Sequence, residues 1–279
     1  MNSAESPPKI DVITPQSGWK FLDFNEIWEY KDLVYFLTWR DIKARYAQST
    51  LGFSWAVVQP VFLMIVFSII FGRLVKIDSD GVPYPIFSYT ALVPWSLYSS
   101  SLSGATGSFV ANTNVMSKVY VPKIVFPLTS IFSRLPDFFI ALILVFGLMV
   151  WYGQAPSIWL LFLPMLVLLI IVQALGVGLW FGTLAVQFRD VRYGVGLLVQ
   201  VMMYATPIVY PASLIPEKYR LIYGINPMAG VIEAFRSAML STRPMPWDLL
   251  AVGVLTSVVV LVSGVLFFRR MERNFVDVV

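Results

Sequence analysis

Six stretches of the chain run nearly free of charge for the length of a bilayer crossing. They are residues 53–71, 86–109, 124–151, 160–186, 193–210 and 249–268. A spanning helix needs about 20 mostly apolar residues. Continuous apolar runs, rather than period-two alternation, mark helices and not barrel strands. Composition agrees: 58% of the 279 residues are hydrophobic and 13% charged, where soluble chains average roughly 45–50% and 25%. In lipid, every backbone polar group is satisfied within a helix or a closed barrel. The expected fold class is an all-α membrane protein with about six transmembrane helices.

The runs are unequal. The second holds Ser96, Ser99, Ser100, Ser101 and Ser103. These serines bond backbone carbonyls, line a wet path, or serve as small residues at helix contacts, and the last reading is preferred. The fourth carries Gly178 and Gly182, four residues apart, a spacing that permits close helix approach. Pro60 and Pro207 are expected to kink their helices.

Basic residues orient the runs. Arg40, Lys43 and Arg45 precede the first, and Lys118 and Lys123 lie between the second and third. Arg189 and Arg192 separate the fourth and fifth, and Arg269, Arg270 and Arg273 follow the sixth. The connection 152–159 carries no charge. Basic loops stay in the cytoplasm, so both termini are expected there. Arg73 and Lys76 fall on the other side, offset by Asp78 and Asp80, as do the basic residues of 211–248. Residues 1–30, with acids at Glu5, Asp11, Asp23, Glu26 and Glu29, lack a basic region followed by an apolar core. They read as a cytoplasmic lead-in and not a signal peptide.

Residues 31–50 form the next unit and 51–279 the membrane domain. In 31–46, KDLVYFLTWRDIKARY, one helical face carries Leu33, Phe36 and Leu37, and the adjoining one Tyr35, Trp39, Ile42 and Tyr46. With Lys31, Arg40, Lys43 and Arg45, this suits an amphipathic helix lying in the membrane interface, its basic groups toward headgroups. Residues 111–123, ANTNVMSKVYVPK, hold the capping residues Asn112, Thr113 and Asn114 and a stop at Pro122. A short helix there would expose Val115, Met116, Val119 and Tyr120. The segment 211–248 carries five prolines yet stays apolar in stretches, which predicts short re-entrant or interfacial helices before the last span.

Arg134 and Asp137 flank Pro136, and their spacing places them on one helix face. Ionisable groups in a membrane are paired or face a wet cavity, and a structural pair is the preferred reading. Tyr89, Trp95, Tyr98, Tyr204 and Tyr210 lie in or at the ends of the second and fifth runs. Such rings form interfacial belts, or stack on the apolar faces of sugars along a pathway.

Several classes are excluded. With no cysteine and no histidine, thiol, disulfide and His-based metal or acid–base chemistry is absent, and the acids form no metal-ligand cluster. The net charge of +4 suits topology and anionic lipid, not nucleic acid. There is no GxxxxGK(S/T) phosphate loop, no GxSxG elbow and no kinase signature. ATP-driven transport would need a separate ATPase chain.

Six stretches, in order, resemble the permease subunits of type-2 ATP-binding-cassette exporters, in the branch that exports O-antigen, capsule or teichoic-acid polysaccharides. They are LTWRDIKARYAQSTLGFSWAVVQPVF (37–62), NVMSKVYVPKIVFPL (114–128), FRDVRYGVGLLVQ (188–200), TPIVYP (206–211), INPMAGVIEAFR (225–236) and RRMERNFVDVV (269–279). The resemblance covers nearly all of the chain from Tyr30 onward.

The resemblance implies a homodimer in the bacterial inner membrane, bound to two copies of a separate ATPase that holds ATP and magnesium, with no cofactor on this chain. It implies coupling through Asn114, Val115, Met116, Lys118, Val119 and Tyr120, beside an interface helix carrying Tyr35, Trp39, Arg40, Lys43 and Arg45. Asn226, Pro227, Glu233 and Arg236 would belong to an outer gate, and the cargo would be lipid-linked polysaccharide. The alternatives are a drug- or lipid-exporting permease of the same superfamily, a secondary transporter and a membrane enzyme. Scattered acids and the lack of a clear repeat weigh against the last two.

Overall fold

The computed structural model describes residues 28–47, 52–119 and 121–272. The expected lead-in up to residue 27, residues 48–51 after the interface helix, Tyr120 and the tail with Arg273 lie outside the described residues. Every regular element among the described residues is helical. We number the α-helices α1 (Lys31–Tyr46), α2 (Trp55–Phe67), α3 (Tyr84–Ala111), α4 (Thr113–Met116), α5 (Val125–Phe132) and α6 (Leu135–Tyr152). They continue as α7 (Leu163–Gln187), α8 (Asp190–Ala205), α9 (Glu217–Tyr223), α10 (Pro227–Leu240) and α11 (Trp247–Met271).

Four spans are long and apolar enough to cross a membrane: Trp55–Leu74, Val125–Tyr152, Ile158–Gln187 and Trp247–Met271. They correspond to the first, third, fourth and sixth predicted runs. The first continues past α2 as a π-helix, Ser68–Leu74. The third breaks at Ser133–Arg134, before Pro136. The other two runs differ for physical reasons. At 28 residues, α3 is about 42 Å long, but its serines dilute its hydropathy. It has no need of a lipid-facing coat, because α2, α5, α6, α7 and α10 pack around it. The helix α8 has 16 residues and is about 24 Å long, short of the roughly 30 Å hydrocarbon core. It stops because Thr206, extended at ψ 148°, precedes Pro207. Pro207 therefore ends the helix rather than kinking it.

Glycines set the closest helix approaches. A Cβ at Gly178 would stand 2.6 Å from the Ala105 Cβ, and one at Gly182 would stand 3.2 Å from the Ala105 carbonyl. On another face of α7, Gly176 meets α11, where a Cβ on Gly264 would approach the Gly176 carbonyl within 2.5 Å. Small residues at such crossings let backbones pack where lipid supplies no hydrophobic drive.

Two cores lie along α3. One gathers Phe87, Tyr89, Leu92, Phe138, Val145 and Phe235. The other gathers Leu37, Ala105, Phe109, Phe126, Leu179 and Phe268 at the opposite end. The expected short helices before the last span are α9 and α10. Every residue of α10 from Met228 to Leu240 is buried, so this helix is enclosed by protein on all sides. The expected interface helix is α1. Its Leu37 is buried, Leu33 and Val34 pack against the second core, and Tyr35, Phe36 and Trp39 point outward.

Candidate functional site

A polar cavity of about 520 Å³ opens between the end of α1 and helices α2, α3, α6 and α8. Its wall on α3 is a serine stripe. Ser96, Ser99, Ser100 and Ser103 fall at i, i+3, i+4 and i+7, one helical face. The Ser100 and Ser103 hydroxyls donate to the Ser96 and Ser99 carbonyls at 2.6 and 2.8 Å. Each keeps its lone pairs for the cavity. For these four the preferred reading as helix contacts thus gives way to the other two readings together, while Ser101, fully buried and away from the cavity, keeps it. Gln59 and Pro60 of α2 and Gly196 of α8 complete the wall.

The charged end of the cavity corrects the expected ion pair. Asp137 binds Arg45, not Arg134: Arg45 Nη1 lies 2.9 Å from Asp137 Oδ2. Arg45 also donates to the Ser133 carbonyl and hydroxyl, each at 3.0 Å. The break between α5 and α6 presents that carbonyl, since the residues around it leave the helical ladder. Arg45 is therefore turned into the protein and not toward headgroups. The Arg134 side chain approaches α3 at Gly104, with Nε 3.8 Å from where a Gly104 Cβ would sit.

The predicted coupling residues follow α3 directly. Asn112 terminates α3, and its Nδ2 donates to the Ser108 carbonyl at 2.8 Å. Arg40 Nη2 donates to Asn112 Oδ1 at 3.1 Å, joining α1 to this elbow. Asn114, Lys118 and Val119 are exposed. Val115 and Met116, expected to be exposed, are instead partly buried against the second core. The elbow leaves through Lys123, whose Nζ donates to the Glu272 carbonyl at 2.9 Å. Burial lowers the Lys123 ammonium from its ordinary value, opposed by the Glu272 carboxylate. On α1, Tyr35, Trp39 and Arg40 face outward, while Lys43 is exposed in the last turn.

The predicted outer-gate residues converge. Glu233 and Arg236 pair at 2.7 Å inside the protein, with Arg236 only 2% exposed. Arg236 also donates to the Ile208 carbonyl at 2.8 Å and lies 3.6 Å over the Phe87 ring. Glu233 Oε1 accepts from the Ala212 N–H at 3.2 Å. The pair thereby pins the irregular stretch after α8 onto α10 and α3, satisfying backbone groups that lipid cannot. Asn226 caps α10 by accepting from the Met228 N–H, and donates to Thr206 Oγ1 at 2.9 Å.

Beside this knot lies a second, mostly apolar cavity of about 910 Å³, lined in part by Tyr98, Tyr210, Asn226 and Pro227. The Tyr210 hydroxyl meets that of Tyr223 at 3.1 Å. Tyr204 is exposed on α8. Tyr89 and Trp95 border neither large cavity: both are buried in the first core, and the Tyr89 hydroxyl donates to the Ala141 carbonyl at 3.4 Å. Gln173, buried with both amide atoms unpartnered, also lines the apolar cavity.

The ABC-2 type transporter model matches residues 32–240, from α1 through α10. This chain belongs to the ABC-2 type transporter family. The match takes in both cavities' principal walls and the Glu233–Arg236 knot. Among relatives, the O-antigen export system permease protein RfbA of Klebsiella pneumoniae is 28% identical over 248 residues, covering 88% of this chain and 95% of that protein. The Myxococcus xanthus protein of the same name is 28% identical over 252 residues, 89% of this chain and 96% of its own. The polysialic acid transport protein KpsM of Escherichia coli is 24% identical over 239 residues, 84% and 91% respectively. This ABC-2 family member is a multi-pass membrane protein.

Proposed function

We propose that this chain is the membrane subunit of an ATP-driven exporter that moves lipid-linked polysaccharide, O-antigen-like in kind, out of the cytoplasm across the bacterial inner membrane. The observation that carries this reading is similarity along nearly the whole length of permeases named for O-antigen export. The serine-lined cavity supports it: hydroxyl lone pairs and an amide beside apolar walls suit a polyhydroxylated cargo with a lipid end.

In this reading two copies pair with α8 toward each other. Tyr193, Leu197, Val201 and Tyr204 make an exposed apolar stripe on that helix, and Val195 is its only buried residue among those described. The elbow 112–119 would dock a separate ATPase that binds ATP and magnesium. Arg40–Asn112 and Arg45–Asp137 would pass its motion to α3 and α6. Both termini would lie in the cytoplasm, as the basic loops argue. Tyr98, Tyr204 and Tyr210 would border the cargo path, and the Glu233–Arg236 knot would hold its outer end.

Deleting the gene in its host and locating the glycan tests this. Intact cells are probed for surface polymer, and lysates for lipid-linked polymer. Loss from the surface with accumulation inside is the expected result. Unchanged surface glycan without internal accumulation would instead favour a drug- or lipid-exporting permease.

A further inference from the structure

The polar cavity contains more positive charge than its own residues neutralise. Arg45 spends its donors on Asp137 and Ser133. The Arg134 side chain makes no ion pair or hydrogen bond among the described residues, and its Nε is buried without a partner. Two guanidinium groups thus share the wall with one carboxylate, Asp137. Arg134 and Arg45 also line a smaller adjoining cavity of about 240 Å³. The acid there, Asp41, already pairs with Arg40 at 2.9 Å. Asp41 attracts Arg134 without forming an ion pair with it, and a partly buried cation whose neighbouring acids are both paired elsewhere is expensive. Inside a membrane protein such a group is found where it faces a wet path and binds something.

The surroundings narrow what that something is. Arg134 stands at the amino end of α6, an 18-residue helix whose dipole also favours an anion. Next to this charged end the wall turns apolar, through Pro60, Leu97, Phe138 and Val199. A free inorganic anion has no use for that surface, whereas an amphiphile fits both parts. The site also adjoins α1, the helix read as lying at headgroup depth. We propose that Arg134, with Arg45 beside it, is an anion site that receives the phosphate-bearing head of a lipid. Its role in handling lipid-linked cargo rests on the export reading above.

The test uses the permease purified with its ATPase in nanodiscs. The probes are decyl phosphate, decanol and inorganic phosphate, followed by calorimetry. Decyl phosphate is expected to bind more tightly than either control. Arg134→Gln should weaken it roughly tenfold, the worth of one charge-assisted hydrogen bond, and Arg134→Lys should weaken it less. Asp137→Asn should tighten it, because the competing carboxylate is gone and Arg45 is released, and the gain should shrink when Arg134→Gln is added, which a merely structural role for Arg134 would not produce. Size-exclusion profiles check folding, and the Lys and Asn variants keep the test open if Arg134→Gln does not fold. Equal binding by wild type and folded Arg134→Gln would overturn the proposal. So would decanol binding as tightly as decyl phosphate, or inorganic phosphate matching decyl phosphate with the same dependence on Arg134. The export reading fails separately: unchanged surface glycan on gene deletion would overturn it while Arg134-dependent binding stood. Normal glycan export by an Arg134→Gln variant that no longer binds would overturn the cargo role of the site alone.

Discussion

At the scale of single residues, the energetics concentrate where charge is buried. Glu233 and Arg236 illustrate the asymmetry of such pairs: forming one is nearly neutral against an apolar isostere, but breaking one is costly. Glu233→Gln keeps the shape and the acceptor for the Ala212 N–H, yet leaves Arg236 uncompensated. It should cost about 3 kcal/mol, seen as a lower midpoint of thermal unfolding in detergent. Arg236→Lys should also be poorly tolerated. A lysine cannot reach Glu233 and the Ile208 carbonyl with one planar fork while stacking on Phe87. If Arg236→Lys melts with the wild type, the fork and the stack contribute nothing. The Arg45–Asp137 pair is different in kind. About a quarter of each side chain stays exposed, so water screens the pair and its value lies more in joining α1 to α6 than in stability.

At the scale of elements, what could be foreseen follows from which information is local. That long apolar runs form helices was legible, because charges and run lengths are local signals. The break before α6 and the end of α8 were not: the third run reads as unbroken through Pro136, and Pro207 reads as a kink in the helix that it ends. The partner of Asp137 was not legible. Helical spacing reaches only three or four residues, whereas Arg45 lies 92 positions away. The inward turn of Tyr89 and Trp95 was hidden for another reason. In lipid both the outer and inner faces of a helix are apolar, so hydropathy no longer reports which side meets protein. For the serines on α3, lining a wet path was one of the open readings, but composition alone could not rank it above helix contact.

Contact glycines give an element-scale prediction. Gly178→Val would drive a side chain into Ala105, and should cost about 1–3 kcal/mol in thermal unfolding. Gly147→Ala on α6 meets nothing within 4 Å, and should match or exceed the wild type by up to about 1 kcal/mol. Equal melting of the two variants would mean that α7 and α3 do not cross this closely. The elbow gives another. Val119 is 56% exposed, so Val119→Glu should insert and fold normally. Its expected loss is co-purification with the ATPase and the export that depends on it. Wild-type recovery of the ATPase with this variant would move the docking surface elsewhere.

At the scale of the whole molecule, the proposed dimer accounts for a helix face that the single chain leaves uncovered. Exposed apolar side chains on α6 and α11 need no explanation, since a spanning helix shows lipid its greasy side. The face of α8 is harder to assign to lipid. The helix is too short to cross alone, it borders the polar cavity through Gly196 and Val199, and lipid on its stripe would leave that cavity open to the bilayer. The proposed two-fold copy would solve this. An isologous interface sets the same patch against itself, and the two cavities then face a shared axis rather than hydrocarbon. The chain contains no cysteine, so one introduced thiol reports on its own surroundings. Leu197→Cys, on the stripe, should give a dimer with a short bis-maleimide in native membranes. Val150→Cys, 84% exposed on α6, should remain monomeric under the same treatment. Cross-linking through Val150 and not Leu197 would turn the protomers around, bringing α6 to the axis and leaving the serine-lined cavities on the lipid side. A path for a polar polymer could not then run between the copies, and each protomer would have to supply its own.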